Sequence, residues 1–305
     1  MTPMLVQHHP HPASAAPAAP VAPGRARDWA EIQERMLVPL YEAVYEHLEV
    51  GTGTRLLGLG CGSGLALLMA ATRGAQVTGV DTDHARVDLA RQRLLPDPGT
   101  PGTPGTAGTP GGTGHPRGGP RLETRLLYGG PSDAAASDDQ DLPAYNLVTA
   151  LQPIGCTADD ADGLVPTLTA AVPLAERGSA VVLAGWGPPE RCATTGVLRI
   201  ACRLTERLRG RGAWRPALRD DLEDVAARAG LHPDGSGRVS CPFGYADTDS
   251  AVRGLLSTGH FDAAVEASDQ ETVEKEITEA LHPHTRPDGT VWMPNVFRYL
   301  VARIP

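Results

Sequence analysis

The chain has 305 residues, 41% hydrophobic and 21% charged, with a formal net charge of -9. That length buries a sizeable core in one elaborated domain. No stretch reaches the roughly 18 apolar residues of a membrane span, and the acidic balance has the wrong sign for a general nucleic-acid binder.

Five cysteines (Cys61, Cys156, Cys192, Cys202, Cys241) lie far apart with no Cys-x-x-Cys pair. This argues against a disulfide framework or a structural zinc site and for a reducing, cytoplasmic setting. Residues 1–24 are rich in Ala and Pro and lack both a basic start and a continuous apolar segment. They read as a disordered tail rather than a secretory signal, and His8, His9 and His11 as solvated. Residues 25–50 read as an N-terminal helical segment. Asp28 and Glu31 resemble a capping box, Ile32, Met36, Leu40, Val44 and Leu48 form a helical stripe, and Pro39 is expected to kink or divide it.

Arg55–Leu59 and Gln76–Val80 read as strands, each followed by a helix, over Leu65–Thr72 and His84–Leu94. Pro96–Pro120 is a Gly-Thr-Pro stretch with little to pack and is expected to be a flexible surface insert. Further strands are expected over Arg121–Leu127, Asn146–Leu151 and Ser179–Ala184, with a helix over Leu164–Ala175 weakened by Pro173. Arg203, Arg207, Arg209, Arg211 and Arg215 are the one basic run, read as a solvated helix face. A helix over Asp221–Ala229, a strand near Val239, a helical stretch over Thr248–Leu281 and a last strand within Val291–Ile304 complete the chain. Short apolar strands alternating with helices predict an α/β, doubly wound, Rossmann-like sheet.

The chemistry-bearing segment is Leu57-Gly58-Leu59-Gly60-Cys61-Gly62-Ser63-Gly64, followed by Asp81 seventeen residues after Gly64. Glycines after a strand allow a sharp turn and a close ligand approach, and the next helix points its amides at that ligand. A carboxylate at the tip of the neighbouring strand accepts both ribose hydroxyls of an adenosine. The dinucleotide pattern GxGxxG/A fails, since Leu65 and Leu67 stand at its third position. No Gly-Lys-Ser/Thr occurs either.

The GxGxG turn and its spaced acid resemble class I S-adenosylmethionine-dependent methyltransferases, in the branch similar to ubiquinone/menaquinone-type and actinobacterial small-molecule methyltransferases. Tyr145–Ala150, Glu176–Val182 and Met293–Arg303 are similar to later segments of that superfamily. The resemblance implies a seven-stranded sheet with an antiparallel last strand, N-terminal helices and a helical lid. On this reading 51–245 is the cofactor-binding core, 246–289 the lid and 290–305 the final strand. It implies S-adenosyl-L-methionine as cofactor and a small-molecule methyl acceptor, with no nucleic-acid or membrane partner.

Carried over by position, Gly60, Cys61, Gly62, Ser63 and Gly64 would wrap the methionine portion and Asp81 would hold the ribose. Thr82 would lie by the adenine, Leu151 and Gln152 would face the methionine end, and Tyr41 would close over the cofactor. Phe243, Tyr245, Phe261 and Trp292 are candidate pocket walls, or ordinary core. His260, His282, His284 and Tyr45 are candidate bases, among which the sequence does not choose.

Three positions depart from the family's pattern. Gly58 stands where an acid is usual, Gly130 does too, with Asp133 a few residues late, and Asn146 replaces an Asp. Each lost charge-assisted hydrogen bond would cost roughly 1.5–3 kcal/mol, about ten- to a hundredfold in affinity. Two readings therefore stand: a small-molecule methyltransferase, or a degenerate methyltransferase fold with a non-catalytic binding or regulatory role.

Overall fold

The structure is a computed structural model that describes residues 23–95, 124–135, 144–156, 160–209 and 217–305. Most of the expected tail, the 96–120 insert, and Arg211 and Arg215 of the basic run lie outside the described residues, as do the side chains of Arg207 and Arg209.

The described residues are already helical before the expected cap. Helix α1 (Pro23–Asp28) runs on through a π turn (Trp29–Gln33) and a 3-10 turn (Glu34–Leu37) into α2 (Val38–His47). Asp28 is therefore helical and caps nothing; its carboxylate lies 3.7 Å from Arg253 instead. Pro39 falls in the first turn of α2, where its missing N–H costs nothing, so the segment is divided there as expected.

The chain then alternates β1 (Arg55–Leu59), α3 (Leu65–Thr72), β2 (Gln76–Asp81), α4 (His84–Leu94), β3 (Thr124–Tyr128), α5 (Pro131–Ala135), β4 (Tyr145–Ile154), α6 (Asp160–Ala171) and β5 (Ala175–Trp186). Pro173 sits in the 3-10 turn that ends α6. Next come α7 (Thr194–Arg209), α8 (Asp221–Arg228), β6 (His232–Ser240) and β7 (Phe243–Tyr245). The expected continuous helix over 248–281 is three helices, α9 (Thr248–Ser257), α10 (Asp262–Ala267) and α11 (Gln270–Leu281). Gly259 at φ +89° and the Asp269 cap on Thr272 N–H supply the breaks. Strands β8 (Val291–Met293) and β9 (Val296–Arg303) close the chain.

The sheet order is β3-β2-β1-β4-β5-β9-β6, parallel except that β9 runs antiparallel to both its neighbours. This is the doubly wound, Rossmann-like sheet expected, with its antiparallel late strand. Consecutive strand residues point to opposite faces, so Leu56, Leu147 and Val182 enter one core while Leu57, Val148 and Val181 enter the other. Burial on both faces explains why these strands read as unbroken apolar runs. Strands β4 and β5 extend beyond their expected ends, because β5 pairs with β9 as far as Trp186 opposite Phe297.

Phe243, Tyr245 and Phe261 are core, at 1%, 4% and 0% exposed. The Phe243 ring lies 6.0 Å from both Trp186 and Phe297. Trp292 is half-exposed with the Arg286 guanidinium over its ring. Among the described residues, no helix is long and apolar enough to cross a membrane, and no group of three or more His, Cys, Asp or Glu is placed to hold a metal ion.

Candidate functional site

The strand order reverses between β1 and β4, and a crevice opens there beyond the strands' carboxyl ends. The glycine turn lies in it. Gly60 and Gly62 take φ of 59° and 57°, values that side-chain-bearing residues rarely adopt. Asp81, 7% exposed at the tip of β2, holds the turn in place. Its Oδ2 accepts from Gly62 N–H at 2.8 Å and its Oδ1 from Asp83 N–H at 2.9 Å. Each carboxylate oxygen keeps a further lone pair for a ligand. Burial pushes the Asp81 carboxyl up, against the lowering pull of those two N–H donors.

A cavity of about 530 Å³ lies over this end of the sheet. Gly60, Asp81, Thr82, Gly129 and Gly130 line it together with Gln152, Pro153, Asp160, Leu164, Thr258–His260 and Asp262. Arg25 of α1 joins the rim and is bonded through Nη2 to both Asp262 carboxylate oxygens, at 2.7 and 2.9 Å. A second, smaller chamber of about 20 Å³ adjoins it, lined by Trp29, Glu34, Tyr41, Gly58, Gly60–Gly62, Leu151 and Gln152.

The structure thus brings Gly60, Cys61, Gly62, Asp81, Thr82, Leu151, Gln152 and Tyr41 to the two cavities. Leu151 and Gln152 lie within β4 rather than after it, and Gln152 Nε2 donates to Gly60 O at 3.1 Å. The Cys61 thiol packs toward Gly79, and burial raises its pKa well above the thiol range. Ser63 and Gly64 line neither cavity. Ser63, fully buried, donates through Oγ to Glu34, while Arg93 Nη1 donates to Ser63 O at 2.9 Å. A Cβ on Gly64 would meet Leu94 at 2.8 Å and Ala90 at 3.0 Å, so this glycine lets α3 start against α4.

Two of the three departures change meaning. Asn146 stands at the far, amino end of β4, where Oδ1 accepts from Arg55 N–H at 2.8 Å and Nδ2 donates to Gly53 O at 2.9 Å. It stitches β4 to β1 and lies away from the crevice, so its amide does not enter the ligand account. At Gly58 the place of a side chain is taken, since a Cβ there would lie 2.9 Å from Leu67 Cδ2. At Gly130 an acid is indeed missing, but Asp133 turns back, its Oδ2 accepting from Gly130 N–H at 2.9 Å.

Sequence reasoning missed Glu34. Its carboxylate is 2% exposed and reaches the turn from the N-terminal segment, accepting from Ser63 Oγ and from Arg93 Nη1 at 2.9 Å. Desolvation raises its pKa, opposed by Ser63 and Arg93. No local pattern marks it, because its partners lie about 30 and 60 residues away in sequence.

Residues 57–99 match the family model described as Methyltransferase domain. No curated protein matches the chain. Among solved structures, one similar chain is an S-adenosylmethionine-dependent methyltransferase from Thiobacillus denitrificans bound to S-adenosyl-L-homocysteine, at 17% identity and TM-score 0.49, covering 93% of this chain and 100% of that one. Another is a cyclopropane synthase from Mycobacterium tuberculosis, at 13% identity and TM-score 0.47, covering 87% and 84%. A third is a geranyl diphosphate C-methyltransferase from Streptomyces coelicolor, at 16% identity and TM-score 0.43, covering 96% and 88%. Likeness at this level assigns no activity; the match to the methyltransferase model, over β1 to α4, falls on the glycine turn and Asp81.

Proposed function

We propose that the chain is an S-adenosylmethionine-dependent methyltransferase acting on a small-molecule acceptor. The observation that carries this is the glycine turn at the strand-order reversal, closed by the Asp81 carboxylate on the next strand. The residues present fit the cofactor: a Cβ-free turn for close approach, a carboxylate with spare lone pairs for a ribose, and an unpartnered buried indole N–H at the turn. In this reading Gly60, Cys61 and Gly62 hold the methionine portion, Asp81 the ribose hydroxyls and Thr82 the adenine side, with Leu151 and Gln152 toward the reacting end. When bound, the cofactor supplies a methyl group made electrophilic by its sulfonium. The chain's part is then to position an acceptor in line with that methyl and to exclude water.

The helices of 246–289, together with Arg25, are read as the cover of the cavity. A cavity bordered by Thr258–His260 and the Arg25–Asp262 pair suits a small acceptor rather than a polymer laid across a flat surface. Of the four candidate bases, His260 alone lines the large cavity, while the Tyr45 hydroxyl is committed to Ala66 O at 3.0 Å. Burial lowers the His260 pKa against the nearby Asp160 and Asp262 carboxylates, which leaves the imidazole neutral and able to take a proton from the acceptor. Its Nε2 stands 3.6 Å from Cys156 Sγ.

Calorimetric titration with S-adenosylmethionine and S-adenosylhomocysteine tests the reading. Micromolar binding is expected; a folded chain that ignores millimolar cofactor is instead a non-catalytic relative of the fold.

The binding should also depend on pH in a defined sense. Asp81 and Glu34 both have raised pKa values in the fold. The fold therefore holds more protons than the unfolded chain between the ordinary carboxylate value and the raised one. These two groups thus favour the unliganded fold on the acid side, a contribution lost as pH rises through that window. A ligand that needs both carboxylates ionised must bind more weakly as pH falls through the same window. Titrations at pH 7.5, 6 and 5 are expected to show affinity for S-adenosylhomocysteine falling before ordinary carboxylates titrate; affinity constant down to pH 4.5 contradicts it.

A further inference from the structure

The small chamber at the glycine turn holds two groups that the fold itself leaves available. Trp29 is 7% exposed, and its Nε1–H is buried with no hydrogen-bond partner among the described residues. An unsatisfied buried donor is costly and needs a reason. Glu34 is a buried carboxylate whose Oε2 faces Ser63 and Arg93, while its Oε1 has only a long bond, 3.4 Å, from Leu65 N–H. Both point to one spot, since a Cβ on Gly62 would lie 3.0 Å from Glu34 Oε1 and 3.2 Å from Trp29 Nε1.

An acceptor with spare capacity beside a donor without a partner matches a zwitterion. The carboxylate suits an ammonium, and the indole N–H, a donor only, suits a carboxylate. Neither group belongs to the strand-turn-helix that makes the rest of the site. Both come from the π and 3-10 turns that interrupt the N-terminal helix, irregularities that recur where a segment hinges or serves a function. The Arg86 guanidinium lies 4.3 Å from the Trp29 ring centroid, a cation over the indole face.

We propose that Trp29 and Glu34 form the subsite for an α-amino-acid end of the ligand, Glu34 accepting from its ammonium and Trp29 Nε1 donating to its carboxylate. This rests on the cofactor reading above and assigns the methionine end of that cofactor to the N-terminal segment. The chamber's volume of about 20 Å³ holds about one water and not an amino-acid end. Trp29–Leu37 therefore backs away from the turn to admit the ligand and closes on it afterwards.

The test compares two probes on the full chain: S-adenosylhomocysteine, and 5′-methylthioadenosine, which has the same adenosine and thioether but no amino-acid end. Glu34→Gln keeps the side-chain shape and a hydrogen-bonding oxygen toward Ser63, and is expected to weaken S-adenosylhomocysteine binding about 10- to 100-fold. Its affinity for 5′-methylthioadenosine should stay within about twofold, which also certifies the fold. In wild type, S-adenosylhomocysteine should change the tryptophan fluorescence and 5′-methylthioadenosine should not; Trp29→Phe should abolish that change.

Equal weakening of both probes, or unchanged or tighter S-adenosylhomocysteine binding in Glu34→Gln, overturns the subsite. Tighter binding would mean that the segment only blocks the turn. A wild-type chain that binds 5′-methylthioadenosine as tightly as S-adenosylhomocysteine also overturns it while leaving the adenosine site standing. Binding of neither probe defeats the cofactor reading itself, and the subsite with it.

Discussion

Asp81→Ala is expected to weaken S-adenosylhomocysteine binding by at least about a hundredfold. Hydrogen bonds to a charged group contribute about 1.5–3 kcal/mol each, and an adenosine ribose offers two hydroxyls to this carboxylate. Losing both predicts a change at the upper end of what one polar side chain can cause. A second loss compounds the first, because Asp81 also receives the N–H groups of Gly62 and Asp83. Without it the Gly62 N–H is left buried beside the Gly60–Gly62 backbone, and the positive-φ turn loses the side chain that holds its shape. Asp81→Asn separates the two effects. It keeps one accepting oxygen for a backbone N–H but turns its NH2 toward the other donor, so it should bind the ligand poorly while unfolding closer to wild type. Calorimetry gives the affinity and urea unfolding the stability. An Asp81→Ala variant that binds within tenfold of wild type would show that the ribose is held elsewhere, and the assignment of the crevice would fail.

How much of this was legible in the sequence follows from the range of the interactions. The turn from Gly60 to Gly64 and its acid Asp81 were readable because a tight turn and a strand tip are local features with local composition. The alternation of short apolar strands and helices gave the doubly wound sheet, since each strand is buried on both faces. Boundaries set by pairing were not readable: β5 runs on to Trp186 only because β9 lies beside it.

Phe243 and Phe261 could be wall or core on composition alone, and only the packing of Trp186 and Phe297 against Phe243 decides for core. Asn146 was misread as a weakened ligand contact, because its type is visible in the sequence while its place at the amino end of β4 is not. Glu34 is the opposite case: an ordinary residue of the N-terminal helical segment whose meaning arises only when the chain returns with Ser63 and Arg93.

Placing an acid on β1 at the turn, Gly58→Glu, is expected to destabilise the protein by more than about 3 kcal/mol and to bring no gain in affinity. Gly58 on β1 and Gly79 on β2 are paired in register, and together they make a side-chain-free patch on one face of the sheet. Leu67 of α3, 1% exposed, fills it. A Cβ on Gly58 would lie 2.9 Å from its Cδ2, and one on Gly79 only 2.4 Å from its Cδ1. Moving Leu67 off Gly58 presses it onto β2, so the clash has no cheap relief, and overpacking of this kind costs about 1–3 kcal/mol. The new carboxylate would also be buried without a cation of its own, since Arg93 is engaged by Glu34 and Ser63, and desolvating an unpaired charge costs several kcal/mol more. Gly58→Ala isolates the steric part and should lose about 1 kcal/mol, within the range for a small overpacked group. Urea unfolding of both variants, with S-adenosylhomocysteine titration of each, checks the argument. Gly58→Glu that is as stable as wild type and binds more tightly would mean that the site lacks a carboxylate. The expected result would instead mean that the acid at this turn has changed segments, with Glu34 of the N-terminal turn standing where β1 has no room for one.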